Sequence, residues 1–153
     1  MQKTIIQNAH VISPDLDLAG ATVVLEGKRI AYVGAKAVKA RPVDTLVDVG
    51  GQYVMPGFID VHTHGANTYD FCDADPKAVF ELAKGKLAEG VTTFLPTTLT
   101  VSNAELKVAA RNAKAYADAG MPYAKAPGIH LASQNPTVTA FLLLSTKSAL
   151  LPT

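Results

Sequence analysis

A chain of 153 residues, 48% hydrophobic and 18% charged, has the length of one ordinary domain and the composition of a folded protein, which excludes a disordered one. A formal net charge of +1 with no basic block gives no reason to expect nucleic acid or an anionic membrane as partner. The single cysteine, Cys72, excludes an intramolecular disulfide framework, the first ten residues are too polar for a signal peptide, and the longest apolar run, residues 140–144, is too short to span a bilayer, so the cytoplasm is the expected compartment.

The first part of the chain reads as short strands and turns. Residues 4–12 and 22–25 are rich in β-branched side chains, and residues 29–33 follow a tight Glu26-Gly27-Lys28 turn. Residues 45–49 alternate weakly and stop at Gly50-Gly51. Alone, such strands make a thin sheet with one uncovered face, so they require a partner. At Tyr53 the pattern changes. Residues 58–64 follow Pro56-Gly57 and read as a buried strand ending in polar groups. Asp75-Pro76 then opens a helix, with Asp75 as cap and Pro76 at the first helical position. Val79, Leu82, Ala83 and Leu87 share one face of it, Gly90 ends it, and Gly85 weakens it by roughly 1 kcal/mol relative to alanine.

A second strand, residues 91–95, is closed by Pro96. Ser102-Asn103-Ala104-Glu105 is a capping-box sequence, Leu106, Ala109, Ala113 and Ala117 continue that helix on one face, and Gly120 stops it. Residues 128–131 begin a third strand. The order β-α-β-α-β favours parallel strands with crossover helices, hence an α/β barrel or a doubly wound sheet. Residues 134–153 carry one charge, Lys147, and show neither a helix cap nor strand alternation, so no element is assigned to them.

Strand period two places Asp60, His62 and His64 on one face, near the C-terminal end of their strand. Two imidazoles so placed can converge on one divalent metal ion. By itself a His-x-His is a weak signal and reads sooner as two polar residues at a strand exit. Cys72 has no basic neighbour and reads as an inert thiol. His10 reads as a surface or sandwich histidine. Asp70, Asp73 and Asp75 read as a solvated loop and helix cap without an EF-hand pattern, and Gly50-Gly51 as a turn outside any phosphate-loop context.

The run Val54-Met55-Pro56-Gly57-Phe58-Ile59-Asp60-Val61-His62-Thr63-His64-Gly65 resembles the first barrel strand of the amidohydrolase superfamily. His64-Gly65-Ala66-Asn67, then Gly90-Val91-Thr92-Thr93-Phe94-Leu95-Pro96-Thr97-Thr98-Leu99-Thr100 and Gly128-Ile129-His130-Leu131, resemble the N-acetylglucosamine-6-phosphate deacetylases, a likeness that covers residues 1–131. The resemblance implies an α/β fold, a partial (β/α)8 TIM-type barrel preceded by an N-terminal half of a β-sandwich. It divides the chain into residues 1–53 (half sandwich), 54–133 (first β/α units) and 134–153 (divergent tail). It further implies metal-dependent hydrolysis of N-acetylglucosamine 6-phosphate to glucosamine 6-phosphate and acetate, within amino-sugar metabolism. A divalent metal, zinc, iron or similar, would be the cofactor, and in dinuclear members His62 and His64 would hold one of the ions. His130 does not stand at the family's metal-ligand position and is expected to pack or hydrogen-bond. The expected partner is a small amino-sugar phosphate, with neither nucleic acid nor membrane, and an intact homologue could be a homo-oligomer.

One departure bears on activity. The family continues after His-Leu with a glutamate that is a principal metal ligand, whereas this chain has Ala132. The family's later metal-binding histidines, catalytic aspartate and most sugar-phosphate contacts have no counterpart here, so no catalytic residue is assigned within the chain and no substrate-binding residue is named. The break in resemblance after Leu131 leads us to expect a frameshift, a wrong gene model or a disrupted gene before a naturally shortened protein, and an inactive fragment. The alternatives are another amidohydrolase, dihydroorotase-like or acting on cyclic amides, or a non-enzymatic fragment.

Overall fold

The β-branched runs of the first part close into one sheet. In the computed structural model, which describes residues 2–132 together with the backbone of 140–143, β1 (Lys3–Ser13) pairs antiparallel with β2 (Leu16–Glu26), and β2 with β3 (Arg29–Gly34). Strands β4 (Thr45–Asp48) and β5 (Tyr53–Val54) both run parallel to β1 along its other edge. The strand β2 is longer than the sequence suggests, because Asp17 and Gly20 look like turn residues. Pairing with β1 overrides that preference, and the misfit is absorbed by two register shifts around Ala9, beside Asn8 at φ 55° and opposite Gly20 at φ 65°. One face of this sheet buries Ala9, Val11, Ala21 and Val23. Val11, Val23, Ile30, Val33, Val54 and Met55 line an apolar hollow of about 370 Å³.

Two compact units result, Met1–Pro56 and Gly57–Thr153. In the second, β6 (Phe58–Thr63) runs parallel to β9 (Val91–Pro96), and β7 (Gly65–Ala66) and β8 (Tyr69–Asp70) form a short hairpin between them in the chain. Helix α1 (Ala78–Ala88) precedes β9, and α2 (Asn103–Asp118) leads towards β10 (Gly128–Leu131). Parallel bridges Thr93↔Lys125 and Thr97↔His130 set the β10 segment alongside β9. The expected β-α-β-α-β order is therefore present. On the other edge of β10, however, β11 (Ala140–Leu143) pairs antiparallel and does not extend a parallel series. The rest of the tail lies outside the described residues. Among the described residues no helix is long and apolar enough to cross a membrane.

A single apolar core joins both helices to the strands, built on Phe71, Val79, Leu82, Phe94, Ala113, Tyr116 and Ile129, all fully buried. The α1 stripe departs from expectation at one position. Leu87 is 44% exposed, and Lys86, one turn beyond Leu82, takes the inward place. The helix also starts later than Asp75-Pro76 suggests. Asp75 is not its cap but an acceptor for the Lys77 N–H at 2.8 Å in the preceding turn, and the N-cap Lys77 has no side-chain cap bond. Gly85, costly by helix propensity, is explained by a close approach: a Cβ there would stand 3.1 Å from the Asn67 Cβ and 3.3 Å from the Ala66 Cβ. At α2 both halves of the capping box form, with Ser102 Oγ accepting from Glu105 N at 3.3 Å and Glu105 Oε2 accepting from Ser102 N at 2.8 Å. Ser102→Ala is expected to cost about 1 kcal/mol, read as a lower urea midpoint at unchanged slope.

Candidate metal centre

The site grows out of an irregularity in β6. Asp60 lies opposite Phe94 and Thr63 opposite Pro96, so three steps along β6 match two along β9. Paired residues share a face of a sheet. Because Phe94 is in the core under the helices, Asp60 faces the helix side. The extra residue between Asp60 and Thr63 then resets the alternation. The expectation that Asp60, His62 and His64 share a face is thereby corrected for Asp60. Its Oδ2 lies 3.3 Å from Lys86 Nζ on α1, and its Oδ1 accepts the His62 N–H at 3.1 Å.

The two histidines do come together. His62 Nε2 and His64 Nε2 are 3.2 Å apart, with the rings nearly perpendicular at 86°. His64 Nδ1 is 3.1 Å from the Thr97 carbonyl oxygen. A carbonyl can only accept, so Nδ1 carries the hydrogen, and in the neutral ring the lone pair stands at Nε2, towards His62. Two nitrogen ligands of a tetrahedral zinc, each about 2.0–2.1 Å from the metal, stand about 3.3 Å apart. The observed separation fits two such positions.

What surrounds the pair is sparse in ligands. Among the described residues no group of three or more histidines, cysteines and carboxylates could hold one ion. The His130 ring lies 4.8 Å from the His62 ring and edge-on to it at 80°, a packing contact. Ala132 gives its N–H to Thr98 Oγ1 at 3.0 Å and offers a methyl group where a carboxylate is expected.

Two residues in contact with this arrangement were not singled out from the sequence. Thr97, fully buried, accepts the Thr63 N–H at its Oγ1, donates that hydroxyl to the Leu95 carbonyl, bonds its own N–H to Thr63 O at 2.7 Å, and presents its carbonyl to His64. The available signal was a polar Thr97-Thr98 pair directly after a strand-ending proline. Lys86 is the other; helical spacing from Leu82 puts it on the buried side of α1 but does not point to Asp60 as its partner.

The remaining candidates lie apart from the pair. Cys72 Sγ accepts the Leu99 N–H at 3.3 Å, and burial pushes its thiol up, in keeping with an inert group. Asp70 accepts the Cys72 N–H and Asp73 the Asp70 N–H, both contacts within the loop. His10 belongs to the first unit, 2.6 Å from Asp17 Oδ1 and beside the Tyr53 ring.

No family model matches the chain. It is 34% identical over 98 residues to the N-acetylglucosamine-6-phosphate deacetylase of Lysinibacillus sphaericus, a match covering 64% of this chain and 25% of that protein. It is 39% identical over 71 residues to a 5'-deoxyadenosine deaminase of Methanosarcina mazei, covering 44% of this chain and 16% of that one. In three dimensions it resembles the N-acetylglucosamine-6-phosphate deacetylase from Pasteurella multocida with a TM-score of 0.73 at 24% identity, over 84% of this chain and 34% of the other, a likeness of fold. The chain thus spans about a quarter of the length of the curated deacetylase that it matches. The likeness to N-acetylglucosamine-6-phosphate deacetylases holds beyond the motifs that first suggested it.

Proposed function

From this likeness to the N-acetylglucosamine-6-phosphate deacetylases we propose that His62 and His64 hold a divalent metal, zinc, iron or similar. We further propose that residues 1–131 form the opening part of an enzyme that hydrolyses N-acetylglucosamine 6-phosphate to glucosamine 6-phosphate and acetate. The observation that carries the reading is the 3.2 Å approach of the two Nε2 atoms, with His64 oriented by the carbonyl of Thr97 inside the very segment that resembles the deacetylases. In this reading residues 1–53 are half of a sandwich and residues 54–133 the first units of a (β/α)8 barrel, and the compartment is the cytoplasm.

A bound metal polarises an acetamide carbonyl and lowers the pKa of water. The work of the present residues is narrower. His62 and His64 bind, and Thr97 fixes the ring of His64 so that its Nε2 stays available. No carboxylate among the described residues completes the metal site as a third ligand, and Ala132 cannot. The chain by itself is therefore a metal binder without turnover. The test is an intact homologue sharing residues 1–131, assayed for acetate release from N-acetylglucosamine 6-phosphate and for ammonia release from 5'-deoxyadenosine. Acetate release is expected to dominate by orders of magnitude; preferred deamination would reject the assignment in favour of the deaminase likeness.

A further inference from the structure

We infer that Lys86 is a positioning residue for His62, acting from α1 through the carboxylate of Asp60; the inference rests on the reading of His62 and His64 as metal-binding. Lys86 Nζ lies 3.3 Å from Asp60 Oδ2 and 3.0 Å from Glu89 Oε2, and its side chain is only 12% exposed. An ammonium so enclosed requires an ionic partner. Burial pulls its pKa down, but the hydrogen bonds and charges of Glu89 and Asp60 outweigh that pull and hold it above the usual range, so it remains a cation. Glu89 sits more in the open, with 55% of its side chain exposed, and can swing away. Asp60 cannot do so without abandoning both Lys86 and the His62 N–H.

That N–H is the sensitive point. Neither Val61 nor His62 has a register partner on β9, because the extra residue lies there. The Asp60 carboxylate supplies the acceptor that the missing ladder position would have given, and Lys86 holds that carboxylate in place. In a regular strand, slipping by one residue turns each side chain to the opposite face. The Lys86–Asp60–His62 chain therefore fixes the bulge, and the bulge sets the direction in which His62 leaves the strand. Without the ammonium, the carboxylate is free to turn to solvent and the His62 backbone to relax.

The experiment is a cobalt(II) titration of the purified chain, followed by visible absorption, with zinc competition. The variants are Lys86→Met, which keeps the packed stem, Lys86→Arg, which keeps the charge, Glu89→Gln, which removes only the exposed partner, and His62→Ala/His64→Ala. Lys86→Met is expected to weaken cobalt binding about 10-fold, the lower end for loss of an outer-shell partner, and to alter the cobalt spectrum. Lys86→Arg and Glu89→Gln should stay close to the parent in both. A folded Lys86→Met protein with parental affinity and spectrum overturns the inference while leaving the histidine pair intact. Should Lys86→Met fail to fold, Asp60→Asn decides by the same readout, and parental binding there overturns it equally. A parent chain that binds cobalt no better than the double-histidine variant rejects the metal reading itself, and this inference with it.

Discussion

Replacing His62 and His64 together by alanine is expected to abolish divalent-metal binding by the chain, a loss greater than the roughly 10–100-fold typical of outer-shell changes. The reason is the number of donors. With only two imidazoles at ligand spacing and Ala132 in place of a carboxylate, no third group among the described residues can retain the ion. Each single replacement should already remove most of the affinity, since one neutral imidazole leaves a metal largely to water. The fold should tolerate the change. His62 is exposed and His64 half-buried, and neither belongs to the core, so the melting temperature of the metal-free chain should move little. Calorimetric titration with zinc checks the first expectation and thermal unfolding the second. Undiminished zinc affinity in the double variant would place the metal elsewhere.

Phe94→Ala should have the largest effect on stability. The ring is fully buried and central to the core that joins α1 and α2 to β9, and its strand position faces the same side as Asp60. Truncating a buried phenylalanine costs about 3–5 kcal/mol, lost transfer energy plus the cavity left behind. Against a typical total of about 5–15 kcal/mol, such a loss leaves the second unit close to unfolding. Leu87→Ala on α1 is the matched control. The sequence pattern places Leu87 in the same apolar stripe, but at 44% exposure it should cost far less than Phe94. Urea unfolding of the two variants separates them, and comparable losses would mean that Phe94 does not anchor the core.

How much of this was legible beforehand depends on the range of the interaction. The α2 capping box joins residues three apart and reads directly from Ser102 and Glu105. The helix-ending glycines, Gly90 at φ 84° and Gly120 at φ 80°, are equally local. The inner half of β2 is not, because pairing across the sheet overrides the turn character of Asp17 and Gly20. The displacement of Asp60 is the instructive case. Period two is a property of one strand, whereas the extra residue in β6 exists only relative to β9. Lys86 meets Asp60 across 26 positions, and Thr97 meets His64 across 33, distances at which spacing rules carry no information. His62 and His64, two residues apart, still bring their Nε2 atoms within 3.2 Å.

The antiparallel strand β11 beside β10 has a consequence for complementation experiments. A separately produced polypeptide bringing a parallel strand to that edge would compete with a segment tethered within a few residues of its partner. Covalent linkage through so short a stretch of sequence confers an effective concentration in the millimolar range. Added at micromolar concentration, the incoming piece would be outcompeted about a thousandfold at equal intrinsic pairing strength. Removing residues 133–153, β11 among them, would therefore open that edge more effectively than raising the concentration of the incoming strand.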